Sequence, residues 1–172
     1  MNSPAIVIII FSTLTFAEAW WNNWDCVLHF KCQEKDSIKT ISSIHNNRYR
    51  DRRWNFYCER TFEDPSCYLT NYVNDWEGLV HFTCGNGEAI AGFNSYHDNN
   101  KEDRKWRIYC CKDENKCTDN NTCTWTEYVN KWNAILHYLV PRDYVLTGVI
   151  SEHDNRKEDR RWKYRHCQLK SC

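Results

Sequence analysis

Two kinds of residue in this chain could do chemistry by type and spacing: clustered basic side chains, and histidines that recur at matched distances. Arg48, Arg50, Arg52 and Arg53 fall within six residues. Arg156, Lys157, Arg160, Arg161, Lys163 and Arg165 fall within ten, offset by Glu158 and Asp159. A sparser group, Lys101, Arg104, Lys105 and Arg107, lies between them. The chain carries 23 basic and 23 acidic residues, so these are local patches on a near-neutral protein. Such patches suit polyanions met at a surface, sulfated polysaccharide or lipopolysaccharide phosphate, and not nucleic acid. The bland alternative is a solvated face of mixed charge.

His29, His81 and His137 form one matched set, and His45, His97 and His153 another. Imidazole is a common metal ligand. Asp98 or Asp154 could add a third ligand, but Asn46 stands at that place in the first copy. We therefore expect structural hydrogen bonds from these imidazoles to the backbone of the turn, with no metal and no cofactor. His97-Asp98 and His153-Asp154 lack a nucleophile, and the five glycines form neither a phosphate loop nor Gly-x-Ser-x-Gly. No enzyme is expected.

The elements that must position these residues come in three copies. With Trp24, Trp76 and Trp132 in register, no gap is needed through Cys58, Cys110 and His166. Besides both histidine sets, Ser43, Ser95 and Ser151 align, as do Asn47, Asn99 and Asn155. Asp51-Arg52, Asp103-Arg104 and Asp159-Arg160 follow, and Trp54, Trp106 and Trp162 close the unit. The repeats run about 20–66, 67–122 and 123–172.

Alternation of period two marks strands over Trp24–Cys32 and Arg52–Cys58, with a third between them at Ile38–His45 and its counterparts. Gly92 and Gly148 interrupt that third strand at one place and suggest a bulge. The expected fold is all-β: three pseudo-symmetric repeats in one disulfide-stapled domain, β-prism- or trefoil-like. Asp-Arg-x-Trp allows two readings. It is either a ligand site, guanidinium for an anion and indole for a sugar face, or a buried structural unit with Arg held by Asp. Alternation places Arg52 and Arg160 inward with Trp and favours the structural reading. That leaves Arg48, Arg50, Arg53, Arg156, Lys157 and Arg161 as the candidate glycan- or polyanion-binding residues. His45 and Asn47, with their counterparts, are the fallback for a neutral sugar.

Cysteines that vanish together from one repeat are expected to be partners. Cys32 and Cys84 share one repeat position, and Cys58 and Cys110 another; the third copy has Val140 and His166 there. Cys67 and Cys123 share an early position, and Cys111 and Cys167 a late one. The first copy has Glu59 at the late position, and its early position falls before the mature chain. This pairs Cys32–Cys58, Cys84–Cys110, Cys67–Cys111 and Cys123–Cys167, and leaves Cys26, Cys117 and Cys172. Cys26 aligns with Gly78 and Ala134 and is expected to be unpaired. Alternation places it inside beside Trp24 and Leu28; the other reading is a bridge between two chains of a homodimer.

Ala5–Phe16 is an apolar run, and Ala17-Glu18-Ala19 is a small-x-small cleavage pattern, so residues 1–19 read as a signal peptide cut before Trp20. The run is too short to span a bilayer. Eleven cysteines in an exported chain imply a disulfide framework. Abundant aromatics with few Leu, Ile and Val suggest a core of Trp, Tyr, Phe and cystine. Asn120-Asn121-Thr122 is a glycosylation sequon, with Asn120 the acceptor.

Asp51–Cys58 (DRRWNFYC), Asp103–Cys111 (DRKWRIYCC) and Asp159–Cys167 (DRRWKYRHC) carry Asp-Arg-x-Trp-x-(aromatic)-x-Cys, in the last with the cysteine one place late. This resembles the dermatopontin family of extracellular matrix proteins, most nearly its arthropod branch, over the whole mature chain. The resemblance implies the same four disulfides and adds Cys117–Cys172; Cys26 departs from the pattern. It implies adhesion without catalysis: a secreted, multivalent, lectin-like factor that aggregates cells through surface or matrix glycans. The alternative is a structural matrix protein that organises fibrils or binds growth factors.

Overall fold

The computed structural model describes residues 20–172. The signal-peptide reading lies outside them. Eleven strands are present and no helix among the described residues: β1 (Leu28–Lys31), β2 (Asp36–Asn46), β3 (Asp51–Arg60), β4 (Ser66–Leu69), β5 (Val80–Thr83), β6 (Glu88–Asp98), β7 (Asp103–Lys112), β8 (Lys116–Trp125), β9 (Leu136–Leu139), β10 (Tyr144–Asp154) and β11 (Asp159–Ser171). The fold is all-β, as expected.

Each repeat contributes one long antiparallel hairpin: β2–β3, β6–β7 or β10–β11. Its short leading strand does not join that hairpin. β1 pairs with β6 of the second repeat, β5 with β10 of the third, and β9 with β2 of the first. The strand exchange is cyclic and closes the three sheets into a ring. β4 and β8 add outer strands to β7 and β11.

The backbone repeats with the same fidelity. Among the described residues, all nine with positive φ fall at three places in the unit: Asp25, Glu77 and Asn133; Lys35, Gly87 and Asp143; Arg50, Glu102 and Glu158. The register shifts at the expected glycines, between Ile90 and Gly92 and between Leu146 and Gly148. A Cβ on Gly92 would meet the Phe30 carbonyl oxygen at 2.3 Å, and one on Gly148 would meet Thr83 Cγ2 at 2.7 Å. The glycines therefore admit the incoming β1 and β5. The first repeat has the same shift, between Ile38 and Thr40.

The leading strands are shorter than the alternation suggests. Trp24 and Cys26 lie in a turn ahead of β1, because Asp25 has φ 58° and its amide donates to the Asp51 carboxylate at 2.9 Å. This corrects the burial expected for Cys26, which is exposed and unpaired. The five remaining pairs are Cys32–Cys58, Cys67–Cys111, Cys84–Cys110, Cys117–Cys172 and Cys123–Cys167. The core is also less purely aromatic than composition implies. Ile38, Ile41, Ile90, Ile108, Leu136 and Leu146 are all buried around the central tryptophans.

Candidate functional site

Two constellations are built from adjacent residues of the same strands: one on the pseudo-threefold axis and one at the rim. Strand alternation separates them. Arg52 points inward and Arg53 outward, and Arg104 with Lys105, and Arg160 with Arg161, repeat the arrangement.

On the axis, Arg52 Nε and Nη2 donate to Asp159 at 2.6 and 2.8 Å. Arg104 donates in the same way to Asp51 at 2.6 and 2.7 Å, and Arg160 to Asp103 at 2.6 and 2.8 Å. Each arginine thus grips a neighbouring repeat, and the three bidentate pairs form a buried cycle. The same guanidiniums reach the carbonyls of Ala134, Cys26 and Gly78. At this repeat position the backbone makes the contact, so Cys26 needs no interior partner for its side chain.

Burial pushes the Asp103 carboxyl up. The hydrogen bonds and charge of Arg160, helped by the charge of His153 and the Glu77 amide, outweigh this and hold it below its ordinary value. Beneath the ring, Trp54, Trp106 and Trp162 pack edge to face with centroids 4.9–5.2 Å apart. Ser43, Ser95 and Ser151 pair across from them at zero exposure. Asn22, Asn74 and Asn130, absent from the sequence-based set, clamp the tryptophan strands: each donates to an arginine carbonyl and accepts from a tryptophan amide.

At the rim, each repeat carries a ladder of cations and aromatic rings. Arg53 lies 5.4 Å from the Trp20 ring and 5.3 Å from Trp24, Trp24 stacks on Tyr49 at 5.5 Å, and Arg48 covers Tyr49 at 5.9 Å. In the second repeat Lys105 covers Trp76, Tyr96 meets both Trp76 and Tyr72, and Arg107 covers Tyr72. In the third, Arg161 is 4.1 Å from Tyr128 and 4.6 Å from Trp132, with Lys163 also over Tyr128. Each contact is worth about 0.5–1 kcal/mol where exposed, and holds a cation beside a flat apolar face.

The ladders differ in charge. Lys105 pairs with Asp75, Arg161 with Glu152 and Lys163 with Glu127. Among the described residues, Arg48 and Arg53 make no ion pair. Burial raises the Glu152 carboxyl, but the hydrogen bond and charge of Arg161, with the Tyr128 hydroxyl, hold it below its ordinary value.

Of the six basic residues singled out from the sequence, the structure gathers Arg48 and Arg53 in the first ladder and Arg161 in the third. Arg50 lies elsewhere, lining a pocket on the axis with His97, His153 and Glu158, 3.5 Å from Glu102. Arg156 and Lys157 are exposed on the β10–β11 turn, where their amides bond to Asp154. The rings of the ladders escaped sequence reasoning. Their signal was an aromatic four residues before each aligned Trp: Trp20, Tyr72 and Tyr128.

The histidines depart from the expected bond to turn backbone. His97 and His153 bond through Nδ1 to the turn side chains Asn99 and Asn155, both at 3.0 Å. His45 instead bonds through Nε2 to the Glu158 carbonyl. His29 and His137 meet Asn94 and Ser42 on the exposed sheet face. Among the described residues, the one grouping of three potential metal ligands is Cys84, Glu88 and Cys110, and its two sulfurs are joined in a disulfide.

The dermatopontin family model matches residues 22–172. The chain is 76% identical to a hemagglutinin/amebocyte aggregation factor of Limulus polyphemus over the full length of both. It is 34% identical to Millepora cytotoxin-1 of Millepora dichotoma, covering 90% of this chain and 68% of that one. It is 32% identical to a dermatopontin of Biomphalaria glabrata, covering 81% and 93%. No solved structure matches. The family match over nearly all described residues, with relatives above 30% identity, makes this chain a member of the dermatopontin family.

Proposed function

We propose that this protein is a secreted, multivalent adhesion and aggregation factor of lectin type, with the three rim ladders as its glycan sites. The observation that carries this reading is their repetition: three cation-and-ring surfaces on one rigid, disulfide-bonded body. A ring face stacks against the apolar face of a sugar, and the neighbouring guanidinium or ammonium group receives its sulfate, phosphate or carboxylate. One such contact is weak, but several on one body hold two cells together, because each later contact forms at high local concentration.

The name of the Limulus relative supports aggregation, and the five disulfides support an oxidising, extracellular address. The first ladder, free of ion pairs, is the strongest for sulfated polysaccharide. Red-cell agglutination with sugar and polysaccharide inhibitors tests the reading. Sulfated polysaccharide should inhibit, and inhibition should weaken as salt rises. Inhibition by a neutral sugar, indifferent to salt, would move the site to the turns at Asn47, Asn99 and Asn155. Failure to agglutinate, with binding to matrix fibrils instead, would favour the structural matrix alternative.

A further inference from the structure

Two of the three sheets end in a covering strand and the third does not. β4 closes the outer edge of β7 and β8 that of β11, whereas β3, their counterpart, is the last strand of its sheet among the described residues. The repeat register identifies the missing strand. With Trp24 under Trp76, β4 falls on residues 14–17, inside the segment read as a signal peptide. Cleavage before Trp20 removes that segment and leaves β3 uncovered. The clasp is absent too. Cys67–Cys111 and Cys123–Cys167 pin the other two covering segments, and Glu59 stands in the first repeat where Cys111 stands in the second.

The uncovered stretch has clear limits. Trp21 still donates its amide to the Trp54 carbonyl at 2.9 Å, as Val73 does to Trp106 and Val129 to Trp162. One step further along, the Thr70 and Thr126 amides donate to the carbonyls of Ile108 and Tyr164, and their hydroxyls accept from the same residues' amides. The counterpart of these threonines is residue 18, beyond the cut. The Phe56 amide is left to donate to its own neighbour, Asn55 Oδ1, at 2.9 Å. Strand alternation from Trp54 then directs the amides and carbonyls of Phe56, Cys58 and Arg60 to the open side. Phe56–Cys58 carries neither charge nor proline to guard that edge. Tyr57 beside it is 67% exposed, and Thr40 pairs with both Tyr57 and the exposed Leu139.

We propose that β3 of the mature chain pairs edge to edge, antiparallel, with β3 of a second copy. The β4–β7 pair shows that an antiparallel strand fits this edge. A second copy brings the same bare edge, so a twofold pairing covers both at once. Centred on Cys58, the match uses the whole open stretch. Phe56 exchanges main-chain bonds with the partner's Arg60, Cys58 does so with the partner's Cys58, and Tyr57 lies across from the partner's Glu59. A centre at Glu59 would set two carboxylates opposite each other, and a centre at Phe56 would drive the partner strand into Trp21. This inference rests on the signal-peptide reading and is independent of the rim ladders and of the Cys26 thiol.

The test is sedimentation of the secreted chain over a concentration series, with its N-terminus fixed by intact mass. A Cys26→Ser background ensures that no thiol links two copies. The mass should double as concentration rises, and the Cys58 and Arg60 amides should become protected from hydrogen exchange in the dimer. Tyr57→Glu opposes the partner's Glu59, and Arg60→Pro deletes an outward amide. Each should weaken association by about tenfold or more while the chain stays folded. A mature chain extended ahead of Trp20 by a copy of residues 66–71, with Glu59→Cys to rebuild the clasp, should stay monomeric. A monomer at every concentration, or a dimer that survives these variants, would overturn the proposal. So would a monomer that takes an extended peptide of another protein on β3 in place of a second copy. A secreted chain that retains residues 14–19 would overturn it through the signal-peptide reading, and the intact mass tells that failure from the others.

Discussion

Arg52 and Arg53 are chain neighbours with opposite fates, and the contrast repeats at Arg104 and Lys105 and at Arg160 and Arg161. The inward member of each pair is buried, bidentate to an aspartate of another repeat and identical in all three copies. The outward member lies partly buried over aromatic rings, and its surroundings change from copy to copy. The axis must close on itself, so three equivalent residues have to fit one another. The rim meets solvent, so each copy can vary. Identity across the repeats therefore marks the structural site, and variation on a shared plan marks the site proposed to bind.

The largest effects should fall on the axis. Arg160→Ala leaves Asp103 buried without its partner and should cost about 3–5 kcal/mol in denaturant unfolding with disulfides intact. Trp106→Ala opens a cavity in the triad and should cost a similar amount, about 3–5 kcal/mol. At the rim, Arg53→Ala removes two cation–ring contacts and should cost about 1–2 kcal/mol of stability. Its agglutination titre should nonetheless fall well below wild type, and a loss of folding as large as that of Arg160→Ala would erase the contrast.

Acid tests the axis in a second way. Asp103 has a folded value below its unfolded one, so its contribution is complete above the ordinary carboxylate range and is lost as pH falls through the folded value. A scan of unfolding free energy against pH should therefore lose stability on the acid side, and Asp103→Asn should flatten that limb.

A smaller effect is expected where the third repeat lacks its cystine. Val140 and His166 replace the two cysteines, and Tyr138 hydroxyl bonds to His166 Nδ1 at 2.8 Å. Burial pushes the Tyr138 hydroxyl up to about 12 and lowers the His166 imidazole. Tyr138→Phe should cost about 1 kcal/mol. The His166 contribution should be complete above the ordinary imidazole value and decline as pH falls below it.

Much of the axis was legible in sequence because strand alternation is a local property: Arg52 inward and Arg53 outward follow from period two. The repeat also carried the bulges at Gly92 and Gly148, and the cysteines lost in pairs. Alternation misled at Trp24 and Cys26, where a left-handed turn at Asp25 breaks the period before β1 begins. The exchange of β1, β5 and β9 was hidden for a different reason. Superposition shows that three strands are equivalent, but an intramolecular pair and a cyclic exchange produce the same repeat. The ladders were half legible: their cations stood out as clusters, whereas their rings are brought together only by folding.

The division between axis and rim is tested most directly by breaking the ladders one, two and three at a time, with Arg53→Glu, Lys105→Glu and Arg161→Glu. Each variant is measured for thermal unfolding, for the number of soluble sulfated oligosaccharides bound per chain, and for agglutination. The account predicts folded proteins throughout, a bound number that steps down with each broken ladder, and agglutination lost once a single ladder remains. Agglutination that survives with all three ladders broken, in a protein still folded, would contradict it.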